Sequence, residues 1–177
     1  MNAAATRTCL DTSQVVAQYK DMVYGIALTH TRSRVDAEDV FQEVFLAYHR
    51  KQPLFESAER RKAWLITTTL YCAKQLASSS WRRKVVPLYG QVLDERPGEA
   101  FCFRTDEQDM VFAALQELPT KYRTVLHLFY FEDQSIAQIA SDLAIEAGTV
   151  KVQLSRGRAQ LRERLEGTTA QRLIESR

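Results

Sequence analysis

Two of the chain's four prolines and two of its six glycines fall in one stretch, residues 78–101, SSSWRRKVVPLYGQVLDERPGEAF. A helix cannot run through it: proline removes a backbone donor and clashes with the preceding turn, and glycine carries the largest backbone entropy cost. On either side apolar residues recur at helical spacing and turn residues are rare, which argues against a turn-rich all-β fold. The pattern predicts an all-α protein of two small helical domains. An N-terminal helical bundle is expected over 10–84, a flexible linker over 85–105, a C-terminal helix-turn-helix bundle over 106–168 and a tail over 169–177.

In the first half, Val15, Tyr19, Met22/Val23 and Ile26 predict a helix over 14–30. Asp36 is placed to cap a second helix, with Glu38 and Asp39 in its first turn, where the helix dipole favours acids. Its apolar face is Val40, Val44 and Ala47, flanked by Phe41, Phe45 and Tyr48, and Pro53 marks its end. A third helix is expected from near Ser57 to about Ser80, with Trp64, Leu65, Thr68, Cys72 and Leu76 as its buried stripe. Thr67, Thr68 and Thr69 weaken its local propensity, so packing has to hold that turn.

In the second half, Met110/Val111, Phe112 and Leu115 predict a helix that stops before Pro119, and Tyr122, Val125, Leu126 and Phe129 predict the next. Ser135-Ile136-Ala137-Gln138 has the form of a capping box, opening a short helix with Ile136, Ile139, Ala140 and Leu143 inside. After a break around 144–147, Val150, Leu154, Leu161 and Leu165 line one face of a longer helix, and Lys151, Arg158 and Arg162 lie on the other. A short capped helix, a tight break and a basic amphipathic helix make a helix-turn-helix, which places the start of its second helix in the major groove of DNA. Thr149, Lys151, Val152, Ser155 and Arg156 lie on or near the leading face, with Arg158 further along; Arg pairs with guanine edges, and Lys and Ser hold phosphates.

Charge distribution points the same way. The net charge is only +2, but residues 60–84 hold Arg60, Arg61, Lys62, Lys74, Arg82, Arg83 and Lys84 with no acid. A second basic patch covers 147–164, and an acidic stretch lies between the two. Two basic patches so separated suggest two contacts with a polyanion. Cys9, Cys72 and Cys102 show no metal-ligand spacing and read as reduced cytosolic thiols; no zinc or other cofactor is expected. The start has no apolar core of signal-peptide length and no apolar run reaches membrane-spanning length, so a cytoplasmic protein without direct membrane insertion is expected.

The segment LQELPTKYRTVLHLFYFEDQSIAQIASDLAIEAGTVKVQLSRGRAQLRERL resembles region four of the extracytoplasmic-function (ECF, group IV) sigma factors of the sigma-70 family. The resemblance rests on Leu118-Pro119, Arg123, Tyr130, Glu132, Ile139-Ala140, Gly148-Thr149-Val150-Lys151 and Arg156. The first half resembles region two, through Ala37-Glu38-Asp39-Val40-Phe41-Gln42-Glu43-Val44-Phe45, Ala63-Trp64-Leu65-Ile66 and Trp81-Arg82-Arg83-Lys84. It implies a sigma factor that binds RNA polymerase core and directs initiation at promoters by recognising minus-thirty-five and minus-ten elements. Asp39, Gln42 and Glu43 share a helix face, which the resemblance docks on the clamp helices of the polymerase, while the second domain meets its flap. The promoter-melting loop falls around 51–62, where Arg60, Arg61 and Lys62 are expected to neutralise phosphates. Arg82, Arg83 and Lys84 hold the same strand or the upstream duplex. An anti-sigma factor is a further partner the resemblance suggests.

Geometry is compatible with this: the promoter elements lie roughly two helical turns, ~70 Å, apart, and about 21 extended residues reach at most ~70 Å. Trp64 is expected in the core, whereas Trp81 borders a basic run. The family often has Asn where this chain has Tyr71, and Gly and then Ser where it has Ala144 and Glu146. Because a forced positive φ costs a non-glycine residue about 1 kcal/mol, Ala144 is expected to avoid it. Glu146 can cap the next helix, but its charge is unfavourable near phosphates. The main alternative is a helix-turn-helix regulator acting without the polymerase core. An enzyme with Mg²⁺ on Asp36, Glu38, Asp39 and Glu43 would need a facing carboxylate cluster, for which only Asp21, Glu56 and Glu59 are available.

Overall fold

The computed structural model describes residues 10–78 and 106–175, with side chains over 10–78 and 110–167. The expected linker 85–105 lies outside the described residues, as do Trp81, Arg82, Arg83 and Lys84. Seven helices are described: α1 (Thr12–Thr31), α2 (Arg34–Lys51), α3 (Ala58–Ser78), α4 (Asp106–Gln116), α5 (Thr120–Tyr130), α6 (Ile136–Leu143) and α7 (Ala147–Glu175). They fall into two compact units, Met1–Cys102 and Phe103–Arg177. The expected all-α class and two-domain organisation hold.

In the first unit, α1, α2 and α3 pack against one another. Asp11 opens α1 in a capping box with Gln14, and its carboxylate accepts from Ser13, which holds its carboxyl below the usual range. The cap of α2 is Ser33, not Asp36: the Ser33 hydroxyl accepts the Asp36 N–H at 3.2 Å, and Asp36 takes the first-turn position where it meets the dipole. Ser57 caps α3 in the same way, accepting from the Arg60 N–H at 3.2 Å.

The threonine run in α3 is accommodated locally. The hydroxyls of Thr67 and Thr69 donate to the carbonyls of Ala63 and Leu65 at 2.9 and 2.7 Å, the back-bond that β-branched hydroxyl residues use inside helices. The buried stripe of α3 is Arg61, Leu65, Ile66, Thr69, Leu70 and Ala73. This corrects the expected stripe: Trp64, Thr68, Cys72 and Leu76 are only half-buried. The helix is covered by two neighbours rather than one, so its inner face is wider than a single row. Val15, Tyr19, Val23, Ala27, Ala37, Val40, Val44, Phe45, Tyr48 and Leu65 belong to the core, and the Tyr48 hydroxyl donates to the Leu10 carbonyl at 3.1 Å.

In the second unit, α7 packs against α4, α5 and α6. Leu115, Leu118, Val125, Leu126, Leu128, Ile139, Val150 and Leu154 are buried. Gly157 lets α7 and α5 approach closely: a Cβ there would stand 3.0 Å from Leu126 Cδ1 and 3.3 Å from Tyr122 Cβ. Arg123 is also buried, its Nη1 donating to the Leu118 carbonyl at 2.8 Å across the α4–α5 turn. His127 is buried, stacked on Phe131 and 3.6 Å from the Glu132 carboxylate.

Candidate nucleic-acid interface

The helix-turn-helix is built as its local chemistry dictates. Ser135 and Gln138 form the capping box of α6. The helix closes on Ala144, whose N–H donates to Ser141 at 3.2 Å, while the Ile145 N–H reaches back to the Ala140 carbonyl at 3.0 Å. That closure demands a left-handed residue, and Ala144 supplies it at φ 55°, ψ 48°. This overturns the expectation that Ala144 avoids positive φ. The carbonyls at the end of α6 need these donors to turn the chain into α7, and their satisfaction outweighs a strain of about 1 kcal/mol.

Beyond the turn, α7 divides by face. Val150, Leu154 and Gly157 are buried against the unit; Thr149, Lys151, Val152, Ser155, Arg156 and Arg158 are exposed. Val152 is an exposed aliphatic residue, at 49%. Thr149, Val152 and Arg156 line one groove together with Lys121, Tyr122, Glu146, Gly148 and Gln153. Lys151, Ser155 and Arg158 do not line it; Arg158 lies with its guanidinium carbon 6.0 Å from the Phe129 ring centroid.

Sequence reasoning missed Lys121 and Gln153. Lys121 comes from the start of α5, its ammonium 4.9 Å above the Tyr122 ring, and no local motif joins it to α7. Gln153 sits at the helical spacing i+4 from Thr149, a signal that was available.

In the first unit, Asp39, Gln42 and Glu43 lie on α2 away from Val40 and Val44, which are buried; Gln42 and Glu43 are exposed and Asp39 half-buried. Exposed Leu46 continues that row. In the loop before α3 and its first turn, the three expected phosphate-neutralising cations separate. Arg60 is exposed and Lys62 half-buried, but Arg61 is buried, its guanidinium carbon 5.6 Å from the Phe55 ring centroid. Arg61 is therefore corrected from a strand-facing cation to part of the packing. Phe55, Tyr48 and Trp64 form one aromatic cluster with centroids 5.9–6.5 Å apart, which packs the half-buried Trp64 against the edge of the core. Tyr71 is 61% exposed on the outer side of α3. Among the described residues no group of three or more acidic, histidine or cysteine side chains could hold a metal ion. No helix among them is long and apolar enough to cross a membrane.

The arrangement has known counterparts. The family profile described as Sigma-70 region 2 matches residues 15–84, and that described as Sigma-70, region 4 matches 108–161. Over 141 residues the chain is 30% identical to the ECF RNA polymerase sigma factor SigL of Mycobacterium tuberculosis, covering 77% of this chain and 78% of that one. The chain belongs to the extracytoplasmic-function sigma factors. It is also 30% identical over 156 residues to the ECF RNA polymerase sigma factor SigE of Mycolicibacterium smegmatis, covering 86% of this chain but only 60% of that relative's length. In fold it resembles the sigma factor RpoE of Bartonella quintana, solved with the anti-sigma factor NepR. The TM-score is 0.68 at 21% identity, covering 87% of this chain and 96% of that one. Within the sigma-factor family, then, α1–α3 belong to region 2 and α4–α7 to region 4.

Proposed function

We propose that this sigma factor binds RNA polymerase core through α2 and directs it to promoters through two DNA-facing surfaces. The observation that carries the reading is the division of α7. Its inward apolar residues, Val150 and Leu154, are consumed by packing, while Thr149, Val152 and Arg156 line an open groove beside Lys121. A helix so presented fits the major groove at the minus-thirty-five element. Arg156 suits a guanine edge and Val152 a thymine methyl; Lys121, Lys151 and Ser155 suit phosphates. Arg60 and Lys62 serve the displaced strand at the minus-ten element. The basic residues Arg82, Arg83 and Lys84 are assigned to DNA from their position in the sequence alone.

Asp39, Gln42 and Glu43 form the docking face for the clamp helices, and region 4 meets the polymerase flap. The domain limits proposed are 10–84 and 106–168, with 85–105 as the linker. The role is one of binding and positioning, without catalysis or cofactor, and its place is the cytoplasm where the polymerase works. An anti-sigma factor is a further proposed partner, to be sought by co-purification.

Run-off transcription with purified core polymerase on the gene's own upstream region tests the reading. Initiation that needs the chain is expected, with core affinity lost in a combined Asp39→Ala, Gln42→Ala, Glu43→Ala variant. Duplex binding without any core binding or initiation would leave the helix-turn-helix regulator instead.

A further inference from the structure

The groove on α7 contains one residue that opposes its own chemistry. A surface that meets phosphates gains from Lys121 and Arg156, but Glu146 lies in the same lining and puts a negative charge there. Glu146 sits at the N-terminal boundary of α7, its carbonyl accepting the Val150 N–H at 3.1 Å, and its side chain is exposed. The positive end of the helix dipole favours a carboxylate at that point, which explains why the residue is tolerated in the free protein but not what it does on DNA.

We infer that Glu146 is a base-reading residue, selecting cytosine at the edge of the upstream promoter element contacted by α7. The inference rests on the assignment of α7 to the major groove. A carboxylate there is an acceptor only, so it needs a base edge that donates. Guanine presents two acceptors, N7 and O6, and thymine presents O4 and a methyl group, so neither satisfies it. Adenine donates from N6 but places its N7 lone pair alongside. Cytosine donates from N4 without an adjacent acceptor on the same base.

Lys121 completes the arrangement. It enters the groove from a different helix, α5, with its ammonium held over the Tyr122 ring. A cation on that wall takes the neighbouring phosphate and offsets the repulsion that Glu146 creates against the backbone. Helical rise sets the register. Glu146 and Arg156 are ten residues apart, or about 15 Å along the axis, so the cytosine lies up to roughly four base pairs from the guanine paired with Arg156, at about 3.4 Å per pair.

The experiment uses reconstituted holoenzyme and a promoter library randomised across the upstream element, with run-off products sequenced. The wild type is expected to enrich cytosine at one position by about tenfold over the other bases. Glu146→Gln is expected to move that preference to adenine, because an amide presents the acceptor and donor that match N7 and N6. Glu146→Ala is expected to flatten the position while leaving the guanine preference near Arg156 intact. If either variant instead raises use of all sequences alike, or leaves the base preference unchanged, Glu146 is only a repulsive surface charge and the inference is overturned. Failure of the underlying assignment shows differently: the wild-type chain then neither binds core nor supports initiation on any library member, and the inference falls with it.

Discussion

The guanidinium of Arg61 lies 5.6 Å from the centroid of the Phe55 ring, buried at the edge of the aromatic cluster that joins α2, α3 and the loop between them. Its neighbour Arg60 is exposed. Two adjacent arginines thus have opposite surroundings, and different effects are expected of their removal. Arg61→Ala is expected to destabilise region 2 by about 1–3 kcal/mol, through lost ring contact and lost packing of its aliphatic stem. Arg60→Ala should leave stability unchanged and weaken binding to forked promoter DNA. Urea denaturation and holoenzyme affinity, measured on both variants, separate the two effects; equal stability losses would contradict the division.

Arg123 fastens the turn between α4 and α5. It is buried and donates to the Leu118 carbonyl at 2.8 Å. Replacing it with Met keeps much of the volume and leaves that carbonyl short of a charged donor, a loss of roughly 2–3 kcal/mol. Chemical denaturation of Arg123→Met should show a lower midpoint with an unchanged slope.

Ala144 occupies left-handed backbone at φ 55°. Ala144→Gly is expected to stabilise region 4 by about 1 kcal/mol, because glycine adopts this conformation without the Cβ penalty. For a domain of this size the gain corresponds to a rise in Tm of about 4–8 °C. Differential scanning calorimetry checks it, and an unchanged or lower Tm would show that the turn carries no strain.

Two glycines of α7 should respond oppositely. At Gly148 an added Cβ meets nothing within 4 Å, so Gly148→Ala should gain about 0.5–1 kcal/mol in helix stability. At Gly157 the space is taken by Leu126 and Tyr122, and Gly157→Val forces α7 away from α5 at a cost of about 1–3 kcal/mol. Thermal melts of both variants test the contrast.

Burial pushes the Cys72 thiol pKa above its ordinary value; the charge of Glu43 adds to the rise and Lys51 offsets part of it. In the unfolded chain the thiol ionises first, so its contribution to stability is lost as pH rises from the ordinary thiol value through the raised one. The direct expectation is kinetic. At pH 8, Cys72 should be alkylated by iodoacetamide more slowly than an unstructured thiol, with its rate climbing at higher pH, as resolved by peptide mass spectrometry.

Much of this was legible along the chain. Ser135 and Gln138 announced the start of α6, and the spacing of Val150 and Leu154 announced the buried side of α7, because caps and helical period act between residues a few positions apart. Asp36 was an equally good cap by type, but only the backbone path could choose Ser33. Arg61 matches its neighbours by residue type, and only the fold seats it against Phe55. Ala144 is unsuited by residue type to left-handed backbone, and the need of the last α6 carbonyls for donors overrides that preference.

By itself the sequence determined the helices, the buried side of α7, the helix-turn-helix and the acidic face of α2, since all of these follow from short-range spacing and charge. Tertiary structure alone decided which cations are buried and which reach solvent, and that Lys121 shares a groove with Glu146 and Arg156. Those facts depend on residues far apart in the chain meeting in space, and packing, unlike helical period, leaves no mark on any single local stretch of sequence.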